Sequence, residues 1–399
     1  MTRDAIIVGG GPAGLTAARV LARAGLRDVL VLERCPEAGG LPRFCGHPGW
    51  GMLDLGRVLT GPAYARRLVA SCAGAELRTG ISVLRLESGG VVEMSGPAGI
   101  ERIAARAILV ATGTREASRA ARLVTGTRPW GVLNTGAFQE IVHAGRMLPF
   151  RTPVIVGTEL VSFSALLTAR HAGIRPVAMI EEGARIVARR PADLIARIAF
   201  GVPVRLATRL VAIEGRARVE AVRVVAGGRE ERIACDGVIL SGRFQPDATL
   251  FRASGFALDP GTGGPAIDTA WRCADGPIFA AGNVLRAVEH SGFVAREGAA
   301  AARAMLRHLR GDLPPVDQGV AVEAGAGLRY AYPQRLLRGE GAATIFARAA
   351  GPHDGVLRLR ADGQVAAERR IRTLPERRIA MRAAADVVAR AGHLTLELA

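Results

Sequence analysis

Near the start of the chain, two groups of residues have types and spacing suited to chemistry. Cys45 and His47 stand close together in CGHPGW. A thiol can serve as a nucleophile or electronic neighbour, and an imidazole can donate a proton near neutral pH. Such a pair could sit against a flat redox ring. The alternative is a Gly/Pro-rich loop whose cysteine is merely buried, and the residues leave both open. Upstream, Gly9, Gly11 and Gly14 occupy the glycine positions of G-x-G-x-x-G. Gly9 permits the tight turn, Gly11 lets backbone approach a pyrophosphate, and Gly14 lets helix and strand pack closely. Glu33 follows roughly 20 residues on, where a carboxylate can accept from ribose hydroxyls.

These glycines need particular elements around them. Residues 4–8 form an apolar run of strand length, 12–23 an Ala/Leu-rich helix, and 29–32 a second apolar run. Strand, turn, helix and strand aim a helix N-terminus, with its free N–H groups, at phosphate. The chain is therefore expected to bind a dinucleotide. Gly39-Gly40 is a second point of close approach, and 107–110 runs into the small residues Ala111-Thr112-Gly113. A further strand at 276–284 ends in Gly282-Asn283, ahead of a helix that starts at Ser291. There Asn283 can bond a polyol, and Glu289 and His290 lie close by. Residues 153–182 repeat the opening pattern, with Gly157, Glu159 and Ser162 where three glycines would stand. A glutamate in the close-approach position crowds and repels a pyrophosphate. Glu181 is placed for a ribose, favouring NAD over NADP. This unit is either a weakened nicotinamide-nucleotide site or a retained scaffold.

The 399 residues allow two or three domains. Composition is 49% hydrophobic and only 4% aromatic, with 50 glycines, which fits turn-rich α/β packing. No apolar stretch is long enough to span a membrane, and residues 1–10 read as a strand rather than a signal peptide. The expectation is a cytoplasmic protein. Net charge is +17, carried by arginine alone because there is no lysine. The arginines are scattered rather than clustered, which fits compositional bias and speaks against a nucleic-acid site. The five cysteines are irregularly spaced without C-x-x-C. That excludes a redox dithiol, a usual zinc site and an iron–sulfur cluster held by this chain alone.

Residues 76–87, 90–94, 100–105 and 107–110 read as short strands, 61–70 as a helix, and 114–150 as a connector. Several strands follow within 202–240. A Pro/Gly linker at 311–319 precedes 320–399, expected to be a small antiparallel β module with a hairpin at Asp362-Gly363.

GGGPAG, Glu33, ATGTRE and IFAAGN, in this order, resemble the flavoproteins with two dinucleotide-binding domains. That class comprises pyridine-nucleotide–disulfide reductases and relatives without the dithiol. The resemblance covers about residues 1–310. It implies an α/β chain with two Rossmann-like FAD/NAD(P)-binding domains (three-layer ββα) plus the C-terminal module. The FAD domain would be discontinuous, 1–115 and 270–312, with an NAD(P)-binding-like domain at 116–269. By the likeness Gly9, Gly11, Gly14 and Glu33 hold the ADP half of FAD, with Pro12, Ala13, Arg34, Gly40, Leu41 and Ala111 beside them. Val83 meets adenine through its backbone, Thr112-Gly113 line the cofactor, and Gly282-Asn283 hold the ribityl chain. Asn283 stands where aspartate is usual. NAD(P)H would be a second cofactor if the unit around Gly157, Glu159 and Glu181 is functional.

CGHPGWG, LTGPAYARRL, GNVLRAVEHSGFVAREGA and LRYAYPQRL carry a narrower likeness. It is to the flavoprotein subunits found beside anaerobic glycerol-3-phosphate, opine and hydroxyproline dehydrogenases. It implies an oligomer in which the partners are a small iron–sulfur protein and a second dehydrogenase flavoprotein subunit.

Overall fold

The computed structural model describes residues 2–189, 191–273 and 276–399. Thr2–Val8 forms the centre of a parallel sheet in the order Glu76–Thr79, Val29–Glu33, Thr2–Val8, Gly99–Val110, Ile278–Ala280. Alternate side chains of these strands feed two cores, which is why the strands read as unbroken apolar runs. Ala5, Ile7, Val31 and Leu109 pack on Leu15, Ala18 and Leu21 of helix Pro12–Arg23 and on Ala301 and Met305 of helix Ser291–Arg310. Ile6, Val8, Leu30 and Ile108 face the opposite way, onto Leu86, Val92 and Met94. Those last three belong to an antiparallel meander of Ser82–Glu87, Val91–Gly96 and the N-terminal half of Gly99–Val110. The two strands expected at 100–105 and 107–110 are thus one. Arg106 between them is exposed and paired with Asp4 at 3.1 Å, so a charged side chain does not interrupt the backbone ladder.

A second parallel sheet runs Val132–Asn134, Gly237–Leu240, Pro153–Val156, Ala178–Ile180, Val204–Arg205. Helices Thr135–His143, Leu160–His171 and Ala192–Phe200 cover one face. Strands Thr208–Glu214 and Ala221–Ala226 cover the other. The expected connector at 114–150 contains the helix Thr135–His143, which starts where the Asn134 side chain accepts from the Ala137 N–H at 2.8 Å. The chain passes between the two sheets at Thr114–Glu116 and returns at Phe244–Pro246, and these two segments pair antiparallel.

The C-terminal segment packs a five-stranded sheet against a three-stranded one around Val320, Leu336, Ile345, Leu357 and Leu394. It is not purely antiparallel: Gly319–Ala324 pairs parallel with His393–Leu398, and helix Ala385–Arg390 lies between. The expected hairpin joins His353–Ala361 to Gln364–Thr373. Its turn has φ +50° at Asp362 and +82° at Gly363, which an Asp-Gly pair accommodates. No helix among the described residues is long and apolar enough to cross a membrane.

Candidate functional site

The first turn is built around close backbone contacts. A Cβ on Gly14 would run into the Gly9 carbonyl oxygen, and one on Gly9 into that of Ala111. Above Gly11 the space is open; the nearest neighbour of a Cβ there would be the Gly40 Cα, at 4.0 Å. Gly40 lies against it because the Gly39 N–H donates to the Gly10 carbonyl at 2.7 Å. Gly11 leads into helix Pro12–Arg23, whose N-terminus has neither a side-chain cap nor an acid in its first turn. Its unpaired N–H groups and the open cradle suit a pyrophosphate. Ala13 is buried beneath Gly282 and Gly298, and Pro12 begins the helix.

The Glu33 carboxylate accepts from the Gly10 and Cys35 N–H groups, each at 2.8 Å, so it is fixed at the turn with lone pairs to spare for a ribose. The Ile81 N–H donates to the Glu33 carbonyl at 3.0 Å, which brings Val83 to the same end of the sheet. Arg34 is exposed and Leu41 is 49% exposed beside them. Ala111 is buried, and its N–H donates to Val8. Thr112 and Gly113 are joined to the returning chain: the Thr112 hydroxyl donates to the Asp247 carbonyl, and the Asp247 N–H to the Gly113 carbonyl.

Gly282 (φ +82°) opens the segment at the other end of the site. The Asn283 amide bridges to Glu289, accepting from its N–H at 2.8 Å and donating to its carbonyl at 3.3 Å. Asn283 therefore shapes the 283–289 loop itself. Glu289 is paired with Arg348 at 3.0 Å, and His290 caps helix Ser291–Arg310 by accepting from Gly292. Beneath this loop Arg286, 0% exposed, donates to both Glu297 oxygens and to the Gly282 carbonyl. Its guanidinium lies 4.5 Å from the Tyr332 ring centroid.

Cys45 and His47 are brought to the seam between the two sheets, in one hydrogen-bonded chain. The Cys45 thiol donates to Gln139 Oε1, Gln139 Nε2 donates to Ser164 Oγ at 2.7 Å, and Ser164 lies 2.6 Å from His47 Nε2. His47 Nδ1 contacts the Pro48 carbonyl, which can only accept, at 2.9 Å, so that nitrogen carries a proton, and in the neutral ring Ser164 donates to Nε2. Burial pushes the Cys45 thiol up to about 12. A buried, hydrogen-bonded thiol of this kind favours the packing alternative for Cys45 over nucleophilic chemistry. Neither Gln139 nor Ser164 carries a sequence signal, because both lie on helices of the second unit. Behind His47, Trp50 and Tyr64 follow in tilted ring contacts of 5.9 and 6.0 Å between centroids, and the Tyr64 hydroxyl donates to Asp54 at 2.7 Å. Trp50 Nε1, Asp54 Oδ1 and Ser291 Oγ are buried without partners. Orphaned polar atoms at the junction of the 40–54 loop and Ser291 fit a polar cofactor ring.

The second turn is closed. Gly157 makes the bend at φ +113°, and Ser162 bonds Ser241 where the third glycine would stand. The Glu159 carboxylate folds over Gly242 and accepts from the Arg243 N–H at 3.1 Å. Burial raises its carboxyl above the usual range. Glu181 accepts from the Thr158 hydroxyl at 2.6 Å and from Gly183 at 3.0 Å. Val187 and Ala188 then donate to Thr158, which draws segment 183–189 across the turn. Arg185 anchors that segment to Glu376 of the C-terminal module through two bonds of 3.1 and 2.9 Å.

The sequence profile of the pyridine nucleotide-disulphide oxidoreductases matches residues 3–305. The chain belongs to this family. It is an FAD-dependent oxidoreductase, in a family that binds FAD and often NAD(P). Over 369 residues it is 30% identical to the alpha chain of the sarcosine oxidase of Rhizobium meliloti (strain 1021), covering 83% of this chain and 33% of that protein. Over 191 residues it is 34% identical to an opine oxidase subunit of the same organism, covering 45% of this chain and 39% of that protein. The chain thus spans well under half of each of these relatives. Thioredoxin reductase of T. acidophilum shares the fold with TM-score 0.64 and 22% identity, over 76% of this chain and 97% of that one. L-proline dehydrogenase of P. horikoshii does so with TM-score 0.57 and 19% identity, over 78% and 56%.

Proposed function

We propose that the chain is the electron-transferring FAD subunit of a heteromeric dehydrogenase acting on a small amine or alcohol. Residues 1–115 and 270–312 form the FAD-binding part, 116–269 the nicotinamide-like unit, and 320–399 the module that ties them together. When bound, FAD supplies the redox chemistry, taking up and releasing electrons at its ring. The chain's own residues bind and orient it. N–H groups at the start of helix Pro12–Arg23 meet the pyrophosphate, Glu33 meets a ribose, and the loop stiffened by Asn283 and Arg286 backs the remainder. His47 and Cys45 hold the 40–50 loop against the second unit.

One observation favours this over a free-standing NAD(P)H-dependent oxidoreductase: Glu159 fills the second turn, under a segment strapped to Glu376. A carboxylate there opposes a pyrophosphate by charge and by volume, so reducing equivalents are assigned to a partner. The two relatives named as oxidase subunits support a multi-subunit setting. Any iron–sulfur cluster is assigned to a separate small protein. Free thiols at Cys35, Cys45, Cys72 and Cys235 suit the cytoplasm.

Anaerobic titration of the flavin-loaded chain with NADH and then NADPH, followed by flavin absorbance, tests this. Neither should bleach the flavin, while dithionite should. Prompt stoichiometric bleaching by NADH would overturn the proposal in favour of the free-standing enzyme.

A further inference from the structure

A hollow of about 360 Å³ lies at the hinge, where three parts of the chain meet. Arg115 and Gln245 come from the paired hinge strands, Thr249 and Arg252 from helix Thr249–Ala253, and Arg329 and Tyr330 from the C-terminal module. No residue expected to hold FAD or a nicotinamide nucleotide lines it, and no lining residue is acidic. Arg115 is held in place by Asp247 and by the Thr249 hydroxyl, the latter at 3.0 Å. Arg252 and Arg329 have no ion-pair partner among the described residues, although arginine–carboxylate pairs recur throughout the chain. The Tyr330 hydroxyl is buried without a partner.

We propose that this hollow binds a compact polyanion, a molecule carrying two or more carboxylate or phosphate groups. Guanidinium groups recognise both through paired N–H donors. They converge from three elements around a shared space, where Arg252 and Arg329 bring charge that no carboxylate among the described residues offsets. The volume is near the lower end of small-molecule sites, which suits a ligand smaller than a dinucleotide. Such a ligand would also bridge the C-terminal module to the hinge, so its binding should stiffen the contact between the two.

Isothermal titration of the full chain with citrate, and separately with inorganic pyrophosphate, at constant ionic strength distinguishes carboxylate from phosphate recognition. Saturable binding of either at one site per chain is expected. It should weaken by about ten-fold or more in Arg252→Ala/Arg329→Ala, since a charge-assisted hydrogen bond contributes about 1.5–3 kcal/mol. Both side chains are exposed, so truncating them leaves the cores untouched. Arg382→Ala/Arg390→Ala, which removes the same charge from an exposed face elsewhere, should bind as the parent does. Absence of saturable binding with both anions would overturn the proposal. Equal weakening in the two double variants would overturn it too, showing only attraction to the net charge of +17.

Discussion

Replacing Glu297 probes the buried contact on which the 282–290 loop rests. The Arg286 guanidinium is 0% exposed, with Glu297, the Gly282 carbonyl and the Tyr332 ring as its partners. Burial opposes its charge, but Glu297 at bonding distance more than offsets this and holds it above its ordinary range. It therefore stays ionised at any working pH and cannot escape by losing its proton. Glu297→Ala leaves that cation with one carbonyl and one aromatic face, a loss of about 3–5 kcal/mol. Glu297→Gln keeps an acceptor but not the charge, costing about 1.5–3 kcal/mol. Urea unfolding followed by circular dichroism and by flavin release should rank wild type above Glu297→Gln and both above Glu297→Ala. Transitions must be compared singly, because a chain of this size need not unfold in one step. Flavin should also leave the Ala variant earlier, since Arg286 positions the Gly282 carbonyl. Tyr332→Phe is the control: the hydroxyl is buried without a partner, so its removal should cost under about 1 kcal/mol. Glu297→Ala within about 1 kcal/mol of wild type would refute the assignment of Arg286 as a buried cation dependent on that carboxylate.

Two further outcomes follow from the titrations. Burial raises the Glu159 carboxyl in the folded state, so the fold binds that proton more tightly than the unfolded chain does. The stability contributed by protonation is complete below the ordinary carboxylate pKa and is lost as pH rises through the folded value. Glu159→Gln should therefore melt higher than wild type at neutral pH, with the gap closing on acidification to about pH 4; a gap that widens on acidification would contradict this. The Cys45 thiol, pushed up to about 12, should resist a thiol-specific disulfide reagent at pH 8 in the folded chain and react once the chain is unfolded. Cys45→Ala should retain electron transfer to an artificial acceptor, whereas rapid labelling of folded Cys45 at pH 8 would mark it as a reactive thiol.

The sequence alone determined the first turn and its sheet. Gly9, Gly14 and the flanking apolar runs are constrained within about thirty residues, because backbone contacts inside a strand–turn–helix unit depend on local geometry. The same locality made the Asp362-Gly363 hairpin legible, and the substitution of Glu159 for a glycine flagged the second turn. Only the tertiary structure decided how that glutamate is used. Its acceptance from Arg243, and the strap from Arg185 to Glu376, join residues 84 and 191 positions apart. Periodicity carries no information about such pairs. Cys45 shows the same limit: burial raises its thiol and Gln139, 94 residues away, accepts its hydrogen bond, and sequence spacing encodes neither. Arg286 and Glu297 carry no sequence signal that marks them as a pair. In the tertiary structure they form a buried ion pair, with Tyr332 of the C-terminal module lying over the guanidinium. Local spacing specified the glycine turn and the carboxylate beside it. Packing between distant segments decided which groups stay charged, which are covered, and which remain open to a ligand.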